Sequence, residues 1–355
     1  MENPFKFGTI VDGEFFTDRV EEVAYIRQFI ENQNHLIIIS PRRFGKSSVI
    51  MRAMKLSGRK YIFLNLQKVM SVQDLAAKLL SEVCKRNPVE KLRGLISRFR
   101  IIPTLTTNAL TGAVEVSFQH TLNANVLLED VFGALENIGS PTDRLVVVLD
   151  EFQEILDIEP NLDKQLRAIM QEQKNINYIL LGSQESMMED IFEKKKSPFY
   201  HFGQLMRLKK LPRNEFEQYI SVRLKPVLPD CYSETTNKIL DYTDCHPYYS
   251  QQFASQVWQI AVMNPQCPDI FAKAIDQIVE THGLDFERMW IRLNRTDKNI
   301  LQRLAIDSPL SMSELRTSTI YSALKKMQKQ GMVIYSNRYE IEDPFFRKWI
   351  LDFAS

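Results

Sequence analysis

Between residues 35 and 211, short runs rich in apolar residues alternate with stretches in which apolar residues recur every three or four positions. Leu36 to Ile39, Leu145 to Leu149 and Asn177 to Ser183 are too short for helices and too apolar for one-sided strands, so they read as strands buried on both faces, while Tyr61 to Leu66 and Leu205 to Leu211 read as further strands. Between them lie amphipathic stripes: Val49, Ile50, Ala53 and Met54; Leu75, Leu79 and Val83 within 72–86; a helix over 126–138; and another over 155–173. An earlier stripe of Val23, Ile26, Phe29 and Ile30 follows Thr17 and Asp18, either of which makes a good N-cap. Alternation of this kind predicts an α/β fold, a three-layer αβα sandwich around a mostly parallel sheet. Ile101 to Leu105 and Ala113 to Phe118, joined around Gly112, predict a hairpin inserted at about 98–122.

Beyond Pro212 the pattern changes. Helical stripes recur without strands: Phe216, Tyr219, Ile220 and Val222; Ile239 and Leu240; 253–260; and 270–278. These predict a small helical lid. From about Asp285 the pattern is that of a winged helix-turn-helix. One helix spans Lys298 to Ile306 and a second starts at Ser311 to Leu315. A third spans Thr319 to Gln330 with Ile320, Ala323, Leu324 and Met327 inward, and Gly331 stops it. Met332 to Tyr335 and Tyr339 to Ile341 then pair as the wing. The expected division is 1–212, 213–284 and 285–355.

The strongest chemical signal is Ser40-Pro41-Arg42-Arg43-Phe44-Gly45-Lys46-Ser47-Ser48, which follows a buried strand and opens a helix. This is the layout of a phosphate-binding P-loop, in which backbone N–H groups and a helix N-terminus enclose an anion. Lys46 would reach the β- and γ-phosphates, Ser47 would ligate Mg²⁺, and Gly45 lets the backbone come close. Ser40 stands where the motif has its first glycine. The second signal is Leu145-Val-Val-Val-Leu-Asp-Glu151, a buried strand ending in two acids. Asp150 would hold the metal and Glu151 would orient and deprotonate the attacking water. The bland alternatives are a strand–turn–helix with a lysine at the helix start, and a buried strand that stops at a solvated acidic turn.

With 355 residues, the chain has room for two or three cores, and a net charge of +1 gives no global field to attract nucleic acid. Lys325, Lys326, Lys329 and Arg338, on the third helix and wing, could form a local phosphate contact with duplex DNA, or simply a solvated face. No apolar run approaches the ~20 residues of a membrane span. Four scattered cysteines without a C-x-x-C pair suggest reduced thiols, and a cytoplasmic protein is expected.

Phe16-Thr-Asp-Arg19, the loop from Ser40 to Ser47 and Leu149-Asp-Glu-Phe-Gln153 together resemble the archaeal-type ATPases of the AAA+/STAND superfamily, relatives of the archaeal origin-recognition initiators. The resemblance extends to Glu342-Asp-Pro-Phe-Phe-Arg-Lys-Trp349 and so covers essentially the whole chain. It implies ATP rather than GTP, with Asp18 and Arg19 near the base and Ser183 or Gln184 as a polar sensor of the γ-phosphate. Asp244-Cys-His-Pro-Tyr-Tyr249 resembles the family's Gly-His-Pro-aromatic motif, with Cys245 replacing the glycine. It implies that His246, with Pro247, faces the nucleotide. The family often carries Gly-Arg after a Ser-Pro-aromatic-Tyr run. Here Ser197-Pro-Phe-Tyr continues into His201 and Phe202, and the nearest arginine is Arg207. That implies slow hydrolysis, or an arginine from a protein partner or neighbouring subunit. The expected function is a slow Mg-ATP switch; the alternatives are a DNA-binding protein or a protein-recruiting scaffold with nucleotide as a structural ligand.

Overall fold

The computed structural model describes residues 2–17, 19–86, 94, 96–107, 114–118, 124–264, 267–310, 317–335 and 337–354. They fall into two compact units, one formed by 20–40 and 49–208, the other by 1–19, 41–48 and 209–355.

The first unit is built on a five-stranded sheet: β1 Leu36–Ile39, β2 Tyr61–Asn65, β5 Leu145–Asp150, β6 Ile176–Gly182 and β7 Gln204–Arg207. Its order is β2-β5-β6-β1-β7. Every pairing is parallel, with Ile39 opposite both Gly182 and Arg207, and Asn65 opposite Asp150. The helices are α1 Val20–Glu31, α2 Lys46–Ser57 (from residue 49 on), α3 Val72–Arg86, α4 Ala124–Glu136, α5 Ile155–Ile158, α6 Leu162–Glu172 and α7 Glu185–Phe192. Every residue of β1, β5 and β6 is buried, as their unbroken apolar runs require. The anticipated hairpin is present as β3 Thr104–Thr107 and β4 Val114–Ser117, antiparallel with Thr104 opposite Ser117; its turn lies outside the described residues.

Two elements differ from expectation for clear reasons. The helix anticipated over 155–173 is split into α5 and α6, because Pro160 lacks an N–H for the ladder and Asn161 takes a left-handed φ of 64°. β7 stops at Arg207 rather than Leu211 because β1, to which it pairs, is only four residues long.

The second unit contains α8 Arg213–Leu224, α9 Tyr232–Thr243, α10 Pro247–Met263, α11 Ile270–Ile291, α12 Arg295–Ala305, α13 Thr317–Lys329, the ribbon β8 Val333–Tyr335 and β9 Tyr339–Ile341, and α14 Pro344–Phe353. The helix anticipated at Ser311 to Leu315 lies outside the described residues. Helix α14 has a clear local cause: Asp343 Oδ1 accepts from the N–H groups of Phe345 (2.8 Å) and Phe346 (3.2 Å), and Pro344 occupies the first turn. Its aromatic face joins the lid core, with Phe345 5.6 Å from Phe253 and Phe346 5.3 Å from Phe286.

Within this unit Asp297, at the start of α12, is almost fully buried and its carboxylate takes Lys326 Nζ from α13 at 2.5 Å. Removing Lys326 would leave a buried charge unpaired. Because Lys326 keeps 47% of its side chain exposed, water offsets part of the loss. Lys326→Met is therefore expected to cost about 1–2 kcal/mol. Lys329→Met should stay within about 0.5 kcal/mol of the parent. Urea denaturation of the two variants beside the parent checks the contrast.

Candidate nucleotide site

Strand β1 delivers the chain to the carboxyl edge of the sheet, where Ser40 N–H donates to Gly182 O at 3.3 Å. In the following loop Arg43 has φ 63° and Gly45 φ 85°, and helix α2 begins at Lys46. Left-handed residues spaced in this way turn successive N–H groups into one concavity, the geometry that binds phosphate. Ser40 is not among the left-handed residues, so a side chain is tolerated where the motif has its first glycine. At Gly45 a Cβ would meet nothing within 4 Å, and glycine is favoured by its φ rather than by space. Lys46 is buried and its Nζ donates to Pro41 O at 3.0 Å, spanning the loop from inside.

The loop is braced by residues of its own unit. Buried Arg19 donates from Nη2 to Phe44 O (3.3 Å) and to Lys209 O (2.6 Å). Val11 N–H donates to Ser48 Oγ at 3.1 Å. Arg43 lies over the ring of Tyr248, 4.5 Å from its centroid, and donates to the Tyr249 hydroxyl at 3.0 Å. Phe44 meets the His246 ring edge-on at 4.8 Å. The Arg-Arg-Phe of the loop thus docks on the His-Pro-Tyr-Tyr that opens α10. The side chains of Arg43 and Phe44 go to that helix. Close by in charge, Glu342 is pushed up to about 7 by burial, against the pull of Arg43, Arg42 and Lys46.

His246 is the N-cap of α10: its Nδ1 accepts from Tyr248 N–H (3.2 Å) and Tyr249 N–H (3.5 Å), and Pro247 follows in the first turn. An accepting Nδ1 leaves the hydrogen of the neutral ring on Nε2, a buried donor with no partner among the described residues. Burial first, then Lys210 and Arg43, lowers its pKa to about 3. Asp244 and Cys245 precede it with φ 47° and 54°, so Cys245 occupies the left-handed conformation that a glycine would adopt more easily.

In the sheet unit, β5 ends at buried Asp150, whose Oδ1 accepts Glu151 N–H at 3.0 Å. Glu151 takes a left-handed φ of 55°. Its Oε2 accepts from Ser183 Oγ (2.6 Å), Ser183 N–H (3.2 Å) and Gln153 Nε2 (2.6 Å). Glu151 and Ser183, singled out separately in the sequence, are therefore in direct contact. Gln153 was not singled out; its only signal is its place two residues after the acid in Asp-Glu-Phe-Gln. Arg207 is tied to Glu189 of α7 (3.1 Å) and to Glu193 just past its end (3.2 Å).

Asp18 lies outside the described residues. Of the four cations on the winged segment, Lys326 is paired with Asp297, and Arg338 with Asp307 (3.4 Å) and Glu340 (3.0 Å). Lys325 lies over the Tyr321 ring at 5.8 Å, and Lys329 is exposed. The hydroxyl of Ser47 and the carboxylate of Asp150 are hard oxygen donors, the ligand type that Mg²⁺ takes. No described helix is long and apolar enough to cross a membrane.

Residues 16–253 match the family described as an ATPase domain predominantly from Archaea. No curated protein sequence matches the chain. Among solved structures, the Walker-type ATPase of Pyrococcus abyssi is 18% identical at a TM-score of 0.67, with 95% of this chain and 97% of that one covered. The ORC2 protein of Aeropyrum pernix, in its ADPNP–ADP complexes, is 15% identical at 0.57, covering 98% and 96%. The ORC1 protein of the same organism, in complex with DNA, is 12% identical at 0.50, covering 96% and 94%. At such identities the likeness establishes a fold, a P-loop α/β domain followed by a helical C-terminal part.

The His246 geometry carries a signed pH dependence. Unfolded, its imidazole takes up a proton below 6.5, whereas folded it resists protonation down to about 3. The stability it contributes is full above pH 6.5 and is lost as pH falls toward 3. His246→Asn keeps an N-cap acceptor but cannot titrate. Its urea midpoint should therefore fall less than the parent's between about pH 7 and pH 5, a comparison that two denaturation series settle.

Proposed function

The chain belongs to the ATPase domain family found predominantly in Archaea, and on that footing we propose that it binds Mg-ATP, hydrolyses it slowly and uses the cycle as a conformational switch. The observation that carries this reading is the docking of Arg43 and Phe44 on His246, Tyr248 and Tyr249. A phosphate that reshapes the loop's N–H groups also acts on the start of α10, and through it on the helical segment.

In this reading the loop N–H groups and Lys46 bind the phosphates, and the buried Nε2–H of His246 is a donor kept for the nucleotide. Mg²⁺, held by Ser47 and Asp150, would neutralise phosphate charge. By the family resemblance Asp18 and Arg19 would serve the base, with Arg19 acting through the Phe44 carbonyl. Glu151 takes a proton from water, the water oxygen bonds to the γ-phosphorus, and the bond to the bridging oxygen breaks with its electron pair on ADP. Ser183 senses the γ-phosphate through the same carboxylate. Arg207, occupied by two glutamates, is a poor finger; losing one costs ~10³-fold or more in turnover, hence the slow rate or an arginine from a partner subunit. Residues 1–212 would act as the ATPase core, 213–284 as the lid and 285–355 as the moved winged part, in the cytoplasm. Duplex DNA contact through that part would fall to Lys325 and Lys329, since Lys326 and Arg338 are held in ion pairs.

Single-turnover phosphate release with Mg-ATP tests this. Lys46→Ala is expected to lose tight nucleotide binding. Glu151→Gln should bind normally and slow at least ~10²-fold. A wild type no faster than Glu151→Gln would sink the hydrolytic reading and leave a nucleotide-held scaffold. A salt-sensitive acceleration by duplex DNA would instead bring in the DNA-binding alternative.

A further inference from the structure

Gln153 is a fully buried amide in the turn after β5, and it serves nothing described so far except Glu151. Its Nε2 donates to Glu151 Oε2 at 2.6 Å and only weakly, at 3.4 Å, to Glu154 Oε1. Its own Oε1 is buried without a partner among the described residues. Burial penalises an unpaired amide oxygen, so an apolar side chain of similar size would suit folding better. The neighbouring strand is shaped around this side chain. A Cβ at Gly182 would lie 2.7 Å from Gln153 Oε1 and 2.3 Å from Met188 Sδ, so only glycine lets the end of β6 close over them.

The three donors on Glu151 all converge on one oxygen. Gln153 Nε2, Ser183 N–H and Ser183 Oγ share Oε2, and none of them is directed at Oε1. A carboxylate gripped by one oxygen has its plane and rotamer fixed, and its other oxygen is kept for a proton. Glu151 needs such a grip, since its left-handed backbone aims the side chain by a conformation that glutamate adopts rarely. Ser183 cannot supply it alone, because a hydroxyl that also answers to a γ-phosphate moves when the nucleotide changes. Gln153, on the same turn as Glu151, is the donor that does not depend on the nucleotide.

We propose that Gln153 is the positioning residue of the hydrolytic base: it holds Glu151 by Oε2 so that Oε1 accepts the proton of the attacking water. The proposal rests on the ATPase reading. In each turnover the water O–H bond breaks and the proton goes to Oε1, the hydroxyl oxygen bonds to the γ-phosphorus, and ADP leaves with the electron pair. Gln153 gains and loses nothing.

The test is single-turnover hydrolysis by the full chain with saturating Mg-ATP, comparing wild type, Gln153→Met, Gln153→Asn, Glu151→Gln and the double variant Glu151→Gln/Gln153→Met. Methionine keeps the volume and removes the donor; asparagine keeps the amide but withdraws it by one methylene. Gln153→Met should slow turnover about 10- to 100-fold while the dissociation constant of a fluorescent ATP analogue stays within about twofold. Gln153→Asn should fall between Gln153→Met and wild type. The double variant should be no slower than Glu151→Gln alone, because a positioning residue has no effect once the base is gone. A merely structural role would instead slow both backgrounds alike, and that result overturns the proposal. So does Gln153→Met turning over at or above the wild-type rate. Should Gln153→Met fail to bind the analogue, Gln153→Asn decides by the same two comparisons. If wild type hydrolyses and only the Gln153 comparisons fail, this proposal falls alone; if wild type matches Glu151→Gln, the ATPase reading falls and takes it along.

Discussion

The phosphate loop keeps its shape because its arginine is held by two tyrosines. A non-glycine residue at φ 63° is strained by about 1–2 kcal/mol. Arg43 bears that strain because its guanidinium stacks on Tyr248 and bonds the Tyr249 hydroxyl, contacts worth about as much as the strain itself. Without them the loop would relax and its N–H groups would diverge. Arg19 beneath Phe44, and Val11 on Ser48, complete the support. Strand β1 belongs to the sheet unit, yet residues 41–48 belong with the helical unit. The segment that would touch phosphate is thus packed with the part that would respond to it.

Much of this was legible in the sequence because the decisive residues carry local signals. Leu36 to Ile39 and Leu145 to Leu149 are too apolar for anything but strands buried on both faces, and the loop and acids follow at their carboxyl ends. His246 was legible as a helix start because Pro follows it. What was not legible depended on partners distant in the chain. No periodicity says that Arg43 will choose Tyr249, 206 positions on, or that Ser183 and Glu151 will share a hydrogen bond. Gln153 stood inside a quoted motif but looked like any turn residue, and only its burial sets it apart. Pro160 was a local signal that the apolar stripe over 155–173 concealed.

The winged segment illustrates how charge along a sequence misleads. Lys325, Lys326, Lys329 and Arg338 look like one basic face when written on a helix and a turn. In the fold, Asp297, Asp307 and Glu340 take two of the four cations into the segment's own packing. Asp297 is the informative partner: a carboxylate this buried has to be matched by a cation, and α13 supplies it. A basic residue opposite a buried acid belongs to the fold before it belongs to any ligand.

The closure of β6 over Gln153 has a consequence for descent. Gly182 tolerates no side chain while Gln153 and Met188 occupy their present places, and Gln153 has reason to stay only while Glu151 must be aimed. Packing couples the three positions. On the proposed role of Gln153, a lineage that gave up hydrolysis would free Gln153 first and then Gly182, which packs against it.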